Sequence, residues 1–378
     1  MKTLRKNPAA SAVQGGFTLI ELMVAAVIGL VVLMAVSFAF IGGRHAYVLN
    51  SEMMRMQENA RAALETIRRD ARMAGFHGCV DAEELEDMSG MGVNFDRFKD
   101  GVYAQAGGYT DAIPNMADNA ASVGMEIHGV RANAGTADVL KEFVASDGAL
   151  TVAGGALAHL LELDDYSDAR VLISDCSGGG LLMRQTGAGV PEDPSGEGTV
   201  SVSGSGGSDS AHIFARGAQV FQYSRPRAFR VKANPDDVFE DVVGSTLPIG
   251  SLYYNEGGLS EVANLEELAR GVEAFRVCLV DETDAANKRL TRWESAPTAM
   301  KRNATQVQVD LVLVSYRPEV LPEAAQYEMR LCGDDPAGAA SYVTTDRRLR
   351  RLFSATMAIR NKITSVDKSV EAHDSAAD

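Results

Sequence analysis

Residues 15–41 read GGFTLIELMVAAVIGLVVLMAVSFAFI, and the organisation of the chain follows from them. Between Phe17 and Ile41 only Thr18, Glu21 and Ser37 interrupt the apolar run. As a helix rising about 1.5 Å per residue, it is long enough to cross a hydrocarbon core of about 30 Å. Lys2, Arg5 and Lys6 stand in front of it. That positive-inside bias keeps the N-terminus in the cytoplasm and sends everything after Ile41 across the membrane, so with one span the bulk is expected to be periplasmic. Glu21 is out of place, because a carboxylate about one turn inside such a span needs to be neutralised or paired, and it calls for a cation. A plain signal anchor explains the flank and the length but not the acid. A secretory signal peptide has an uncharged apolar region of about 7–15 residues, shorter than this one.

The helical period continues past Ile41. Ala46, Leu49, Met53, Met56, Ala60, Ala63, Ile67 and Ala74 recur at helical spacings and form an apolar stripe. Glu52 with Arg55, Glu58 with Arg61, and Glu65 with Arg68 and Arg69 are placed to pair on the opposite face. One helix is expected from Phe17 to Ala74, stopped by Gly75 and weakest at Gly29 and Gly42-Gly43.

Of the 378 residues 46% are apolar, sufficient for a real core, and the formal charge is −15. Losing the first 16 residues with Lys2, Arg5 and Lys6 lowers the charge by three, to −18. Nucleic acid and anionic lipid, which require clustered cations, are disfavoured as partners. Cys79, Cys176, Cys278 and Cys332 are too far apart for a redox or zinc motif, and in an oxidising compartment they read as two disulfides. Three connectivities are open. The sequential one, Cys79–Cys176 with Cys278–Cys332, staples each half of the globular region and is preferred, with four free buried cysteines as the alternative.

The expected fold class is α+β: the half of the long helix beyond the membrane lies on a mostly antiparallel sheet. The boundaries are a leader over 1–16, the membrane half of the helix over 17–41, its amphipathic half over 42–75, a β-rich domain over 76–362 and a flexible tail over 363–378. Strand-like runs include MEIHGV (125–130), ARVLISDC (169–176), GLLMRQ (180–185), ARGVEAFRVCLVDE (269–282) and TQVQVDLVLVSYRPE (305–319). DAEELEDMSG and the run on to about Ser122 read as irregular surface connections, and 187–210 as a flexible loop.

No catalytic motif is visible. His45, His77, His128, His159, His212 and His373 lack metal-ligand spacing, and there is no GxSxG, GxGxxG or P-loop, so neither an enzyme nor a cofactor is expected. Asp164-Asp165 and the Asp236-Asp237, Glu240-Asp241 cluster lack EF-hand spacing and read as solvated loops rather than calcium ligands. Arg347, Arg348, Arg350 and Arg351 could dock an acidic neighbour or guard a strand edge.

The basic leader, Gly16, Phe17 and then Glu21 before an apolar helix resemble the prepilin signature of type IV pilins and the pseudopilins of type II secretion. Three further segments, VLISDC (171–176), LARGVEAFRVCLVD (268–281) and FSATMAIRN (353–361), resemble the PilW family of minor pilins in order. The resemblance implies a type IV pilin-like fold, cleavage by prepilin peptidase after Gly16 and N-methylation of Phe17. It also implies an inner-membrane complex of minor pilins that starts and caps a pilus, with other minor pilins and major pilin as partners and a tip adhesin as a further candidate. Glu21 would then meet a terminal ammonium, its own or a neighbour's, as a register key. The alternatives are a J-type pseudopilin of type II secretion and a periplasmic ligand-binding or enzymatic domain carrying such a leader.

Overall fold

The computed structural model describes residues 18–91, 93–105, 123–129, 137–139, 143–144, 148–153, 170–175, 179–186, 190–193, 197–204, 213–214, 216–223, 225–240, 246–259, 264–281 and 289–359. Gly16, Phe17, Cys176, Asp164, Asp165, Asp241, His159, His212 and the tail lie outside them. The chain divides into two compact units, residues 1–51 and 52–378. One unbroken helix, Leu19–Ala71, supplies most of the first and opens the second.

In the second unit Met56, Ala60, Ala63, Ile67 and Ala71 follow one another at four- and three-residue steps, and none is more than 3% exposed. Three of these five are alanines, so the helix can lie close to the surface beneath it. That surface is one core fed by two antiparallel sheets. The five-stranded sheet runs in the order Glu266–Arg270, Thr246–Glu256, Arg227–Glu240, Val123–Ile127, Val102–Gln105. The four-stranded sheet runs Arg289–Arg292, Val272–Asp281, Gln306–Val314, Arg350–Ala358. Met125, Phe229 and Leu252 of the first meet Phe275, Val309 and Leu311 of the second under the helix. Burying a side chain such as Ile67 there stabilises by about 1.5–3 kcal/mol.

Side chains of the strand Gln306–Val314 alternate between two faces. Val307, Val309, Leu311 and Leu313 enter the helix-covered core. Val312 points the other way into a small cluster with Ala274, Leu331 and Tyr342, beneath the hairpin Ala325–Met329 and Tyr342–Asp346. Asp310, on that face and 2% exposed, accepts the Cys332 N–H and a Gln308 amide hydrogen. Cys278 of the sheet is bonded to Cys332 beside it.

The largest sheet described has eight strands, and among the described residues its one parallel pairing is Leu85–Asp87 with Gly180–Leu182. Val171, Ile173, Leu181, Met183 and Val220 fill one face. Leu172, Leu182 and Phe221 fill the other, against Phe98 and Val80. Aromatic rings close this second face, with Phe76 edge-on to Phe221 at 5.6 Å and Tyr223 edge-on to Phe98 at 5.4 Å.

Several segments read as irregular are ordered. Leu85–Asp87 pairs with Gly180–Leu182 and buries Leu85, and Val93–Asp100 is a helix that buries Phe98. Glu197–Ser203 in the supposed flexible loop is a strand, because Val200 and Val202 alternate into the core at 0% and 2% exposure. Asp236, Asp237 and Glu240 lie in the strand Arg227–Glu240 instead of a loop, and a register shift between Ala233 and Val238 absorbs Pro235. The arginine run is neither a free patch nor a simple charged edge. Arg350 is buried among Glu273, Asp346 and Tyr342, Arg348 is 7% exposed, and Arg347 pairs with Glu319 at 3.3 Å. Arg351, exposed, reaches Met53 Sδ at 3.2 Å.

The helix ends where three backbones cross. Gly75, at φ 65°, donates its N–H to the His128 carbonyl at 2.9 Å, and His128 donates to the Gly101 carbonyl at 2.8 Å. A Cβ on Gly101 would come within 2.5 Å of the Gly75 nitrogen, so this crossing requires glycine.

Candidate functional site

The motif-bearing segment is the start of the long helix. Thr18 precedes its first turn and Glu21 sits three residues on. The Thr18 N–H and hydroxyl both donate to Glu21 Oε2 at 3.0 Å, and the Glu21 N–H donates back to Thr18 Oγ1 at 3.3 Å. This is a reciprocal capping box, in which side chains satisfy backbone N–H groups that a helix N-terminus leaves open. Among the described residues the Glu21 carboxylate is held by Thr18, a neutral partner. The signal was legible as T-L-I-E immediately before an apolar run. The cap uses only atoms beyond the Gly16–Phe17 bond and survives loss of the leader.

Past the cap, the helix presents apolar side chains on every side. Leu19, Ile20, Leu30, Phe38 and Phe40 are all between 65% and 77% exposed. Ser37, the remaining polar interruption, returns its hydroxyl to the Leu33 carbonyl at 2.8 Å, so it offers no unpaired donor to a hydrocarbon environment. This is the one helix among the described residues long and apolar enough to span a membrane, with a mean hydropathy of 2.8 over its best window.

In the second unit, acids tie the same helix to the domain. Glu52 is 2% exposed; its carboxylate accepts the Tyr316 N–H at 3.2 Å and lies 3.6 Å from Arg317. The pairing expected with Arg55 is looser, at 3.9 Å. Asp70, 4% exposed, takes the Arg227 guanidinium at 2.8 Å. Burial pushes the Asp70 carboxyl up, and Arg227 and Arg69 offset only part of that. Neither Glu52 nor Asp70 was singled out as buried from sequence, since both fall among charged helix positions. Glu65 pairs with Arg68 at 3.2 Å as expected.

Cys278 and Cys332 are joined, and Cys79 is also in a disulfide, with its Sγ 3.3 Å from the Ser174 hydroxyl. Among the described residues no group of three or more His, Cys, Asp or Glu is arranged to hold a metal ion.

The family model of the prokaryotic N-terminal methylation motif matches residues 12–37. The chain carries a type IV prepilin-like leader. No curated protein and no solved structure matched. The matched stretch contains the capping box and most of the apolar helix. With the long helix followed by a mostly antiparallel β domain, it supports a type IV pilin-like protein; the apolar helix suits membrane anchoring, and the leader implies processing by a prepilin peptidase.

Proposed function

We propose that this pilin-like chain is a minor pilin similar to PilW. It is a non-enzymatic subunit that joins other minor pilins in the inner membrane, starts fibre assembly, and stays at or near the tip with its domain on the periplasmic side. The observation that carries the reading is the methylation-motif leader opening a self-capped apolar helix that continues into the core of a large β-rich domain. Such a helix has a use in a bundle of like helices, where its apolar surface packs side by side. A soluble enzyme or binding protein has no need of it. Cleavage after Gly16 and methylation at Phe17 would place a cationic amine next to Thr18, close to the Glu21 carboxylate. In a staggered bundle the amine of a neighbour could serve instead, so that Glu21 sets the register between subunits.

The test is deletion in the native host, with full-length chain purified in detergent. Loss of surface pili, and co-purification with other proteins that carry prepilin leaders, is the expected result. Normal piliation with failed export of a secreted protein would instead establish the pseudopilin reading. Intact mass should show residues 1–16 removed and Phe17 methylated; an uncut leader would sink both.

A further inference from the structure

The edge of a sheet invites pairing with another chain, and folds usually blunt it with charge, proline, bulges or brevity. Edges of this domain follow that rule. Glu266–Arg270 reads EELAR and its ladder shifts register between Leu252 and Tyr253, and Val190–Asp193 carries Pro191. Arg289–Arg292 is four residues with an arginine at each end, and Leu85–Asp87 is three residues. Arg350–Ala358 departs from it. This outermost strand of the four-stranded sheet is nine residues long and pairs with Gln306–Val314 without a register shift. From Leu352 to Ile359 it carries neither charge nor proline.

The ladder fixes which way its backbone points. The Ser315 N–H donates to the Leu349 carbonyl and the Ile359 N–H to the Thr305 carbonyl, each at 2.8 Å, so the odd-numbered residues of the strand bond inward. Leu352, Ser354, Thr356 and Ala358 therefore turn their N–H and C=O groups to the outer edge, where no strand among the described residues meets them. Ser354, Thr356 and Ala358 are exposed, and Phe353 is only half-buried against the core under the helix. Arg351, also exposed, touches Met53 Sδ and lies 5.8 Å from the centre of the Phe353 ring. Among the described residues it pairs with no carboxylate, in a chain whose 51 acids outnumber its 36 lysines and arginines.

We propose that this edge accepts, by strand addition, an extended segment of another pilin-like subunit that alternates apolar with polar residues and carries an acid beside Arg351. The identity of the partner rests on the pilin reading above; the open edge does not. Main-chain hydrogen bonds to Leu352, Ser354, Thr356 and Ala358 supply affinity, an apolar side chain covers the open flank of Phe353, and a carboxylate meets Arg351. A second copy does not fit. Two identical edges pair symmetrically only about a two-fold axis, which makes the strands antiparallel. The strand runs alongside the helix: Arg351 is beside Met53, and Ile359 is bonded to Thr305, near Arg302, which lies 3.9 Å from Asp100 at the crossing past the helix end. Self-pairing would set the two helices in opposite directions, which chains anchored in one membrane cannot adopt.

The test is photo-crosslinking in the native host, with p-benzoylphenylalanine placed at Ser354 of the full-length chain and, as a control, at Thr345, exposed on the neighbouring hairpin. The Ser354 position should give an adduct with a different protein that carries a prepilin leader. The adduct should map to a segment of alternating apolar and polar residues with an Asp or Glu at the Arg351 end, and the Thr345 position should not give it. Thr356→Pro removes an outward donor and no bond to the strand Gln306–Val314, so the melting temperature should stay nearly unchanged. The same variant should cut the adduct about fivefold or more, the loss of at least one main-chain hydrogen bond. Arg351→Gln should cut it about threefold, as loss of one exposed ion pair does. An adduct with a second copy, one mapped to a helix, one indifferent to Thr356→Pro, or none at all would each overturn the inference. If deletion abolishes pili and no adduct forms, the strand inference alone fails; if piliation is untouched and the proline-sensitive adduct persists, the pilus reading alone fails.

Discussion

Arg350 offers the sharpest test of what holds the outer face of the domain. Its Nε and Nη2 reach the two oxygens of Glu273 at 2.7 and 3.0 Å, Nη2 also reaches Asp346 at 2.7 Å, and the Tyr342 hydroxyl accepts from Nε at 2.9 Å. Arg350 is 7% exposed and Glu273 6%, so neither charge has water to fall back on. Arg350→Ala would leave Glu273 buried with only the Tyr342 hydroxyl, and stranding one member of such a pair costs about 3–5 kcal/mol. For a domain of this size that lowers the melting temperature by roughly 5–10 °C. The double change Arg350→Met with Glu273→Leu removes both charges and keeps much of the volume. It should recover most of the loss, since well-packed apolar replacements of buried pairs are often neutral or stabilising. Urea and thermal unfolding of the purified chain measure both. If Arg350→Ala costs less than about 1 kcal/mol, the pair behaves as a surface salt bridge and the reasoning fails. If the double variant is as unstable as the single, packing rather than charge explains the site.

Three other outcomes can be checked directly. Glu21→Gln keeps an acceptor for Thr18 and removes the charge, whereas Glu21→Ala removes both. Pulldown of the minor-pilin complex should fail for both variants if the charge sets the register, and a normal result for Glu21→Gln would reduce the role of Glu21 to helix capping. Reducing Cys278–Cys332, which are 54 residues apart, should cost about 4 kcal/mol in the chain-entropy model, and a melting temperature unmoved by reductant would contradict it. Asp334 titrates at about 2, because hydrogen bonds from Ser341 and Leu331 and the charge of Arg276 outweigh a burial effect that raises it. Its folded value lies below the unfolded one of about 3.9, so its contribution is present above that pH and is lost as pH falls toward 2. Asp334→Asn should flatten the fall in melting temperature between pH 5 and 2, and an unchanged slope would assign acid lability elsewhere.

The long helix and the central strands were legible because their periods are unambiguous. Met56 through Ala71 keep helical spacing, and Val307 through Leu313 keep a period of two. The segments misread as loops hide short amphipathic pieces inside acidic or glycine-rich surroundings. Phe98 with Phe95, and Val200 with Val202, each anchor an element whose other residues are mostly polar, so local composition outvotes the few that decide the fold. Arg227–Glu240 was obscured by Pro235 and two aspartates, which only the register shift makes compatible with a strand. At the helix start, Glu21 stands out as an anomaly and calls for a terminal ammonium, its own or a neighbour's, while Thr18, three residues back, is the partner seen among the described residues. The pairing of the buried Glu126 with Arg97 at 3.2 Å could not be read at all, since the two come from different segments and meet only through the tertiary fold.

The crossing at Gly75, Gly101 and His128 has a mechanical side. In a fibre of the kind proposed above, tension on the helix would pass at this joint, just past the helix end, into two other segments of the domain through main-chain hydrogen bonds. Those groups are the same whatever the side chains, so the strength of the coupling under tension is fixed by how closely three backbones can approach. A single methyl at Gly101 would force them apart and turn a stiff joint into a slack one.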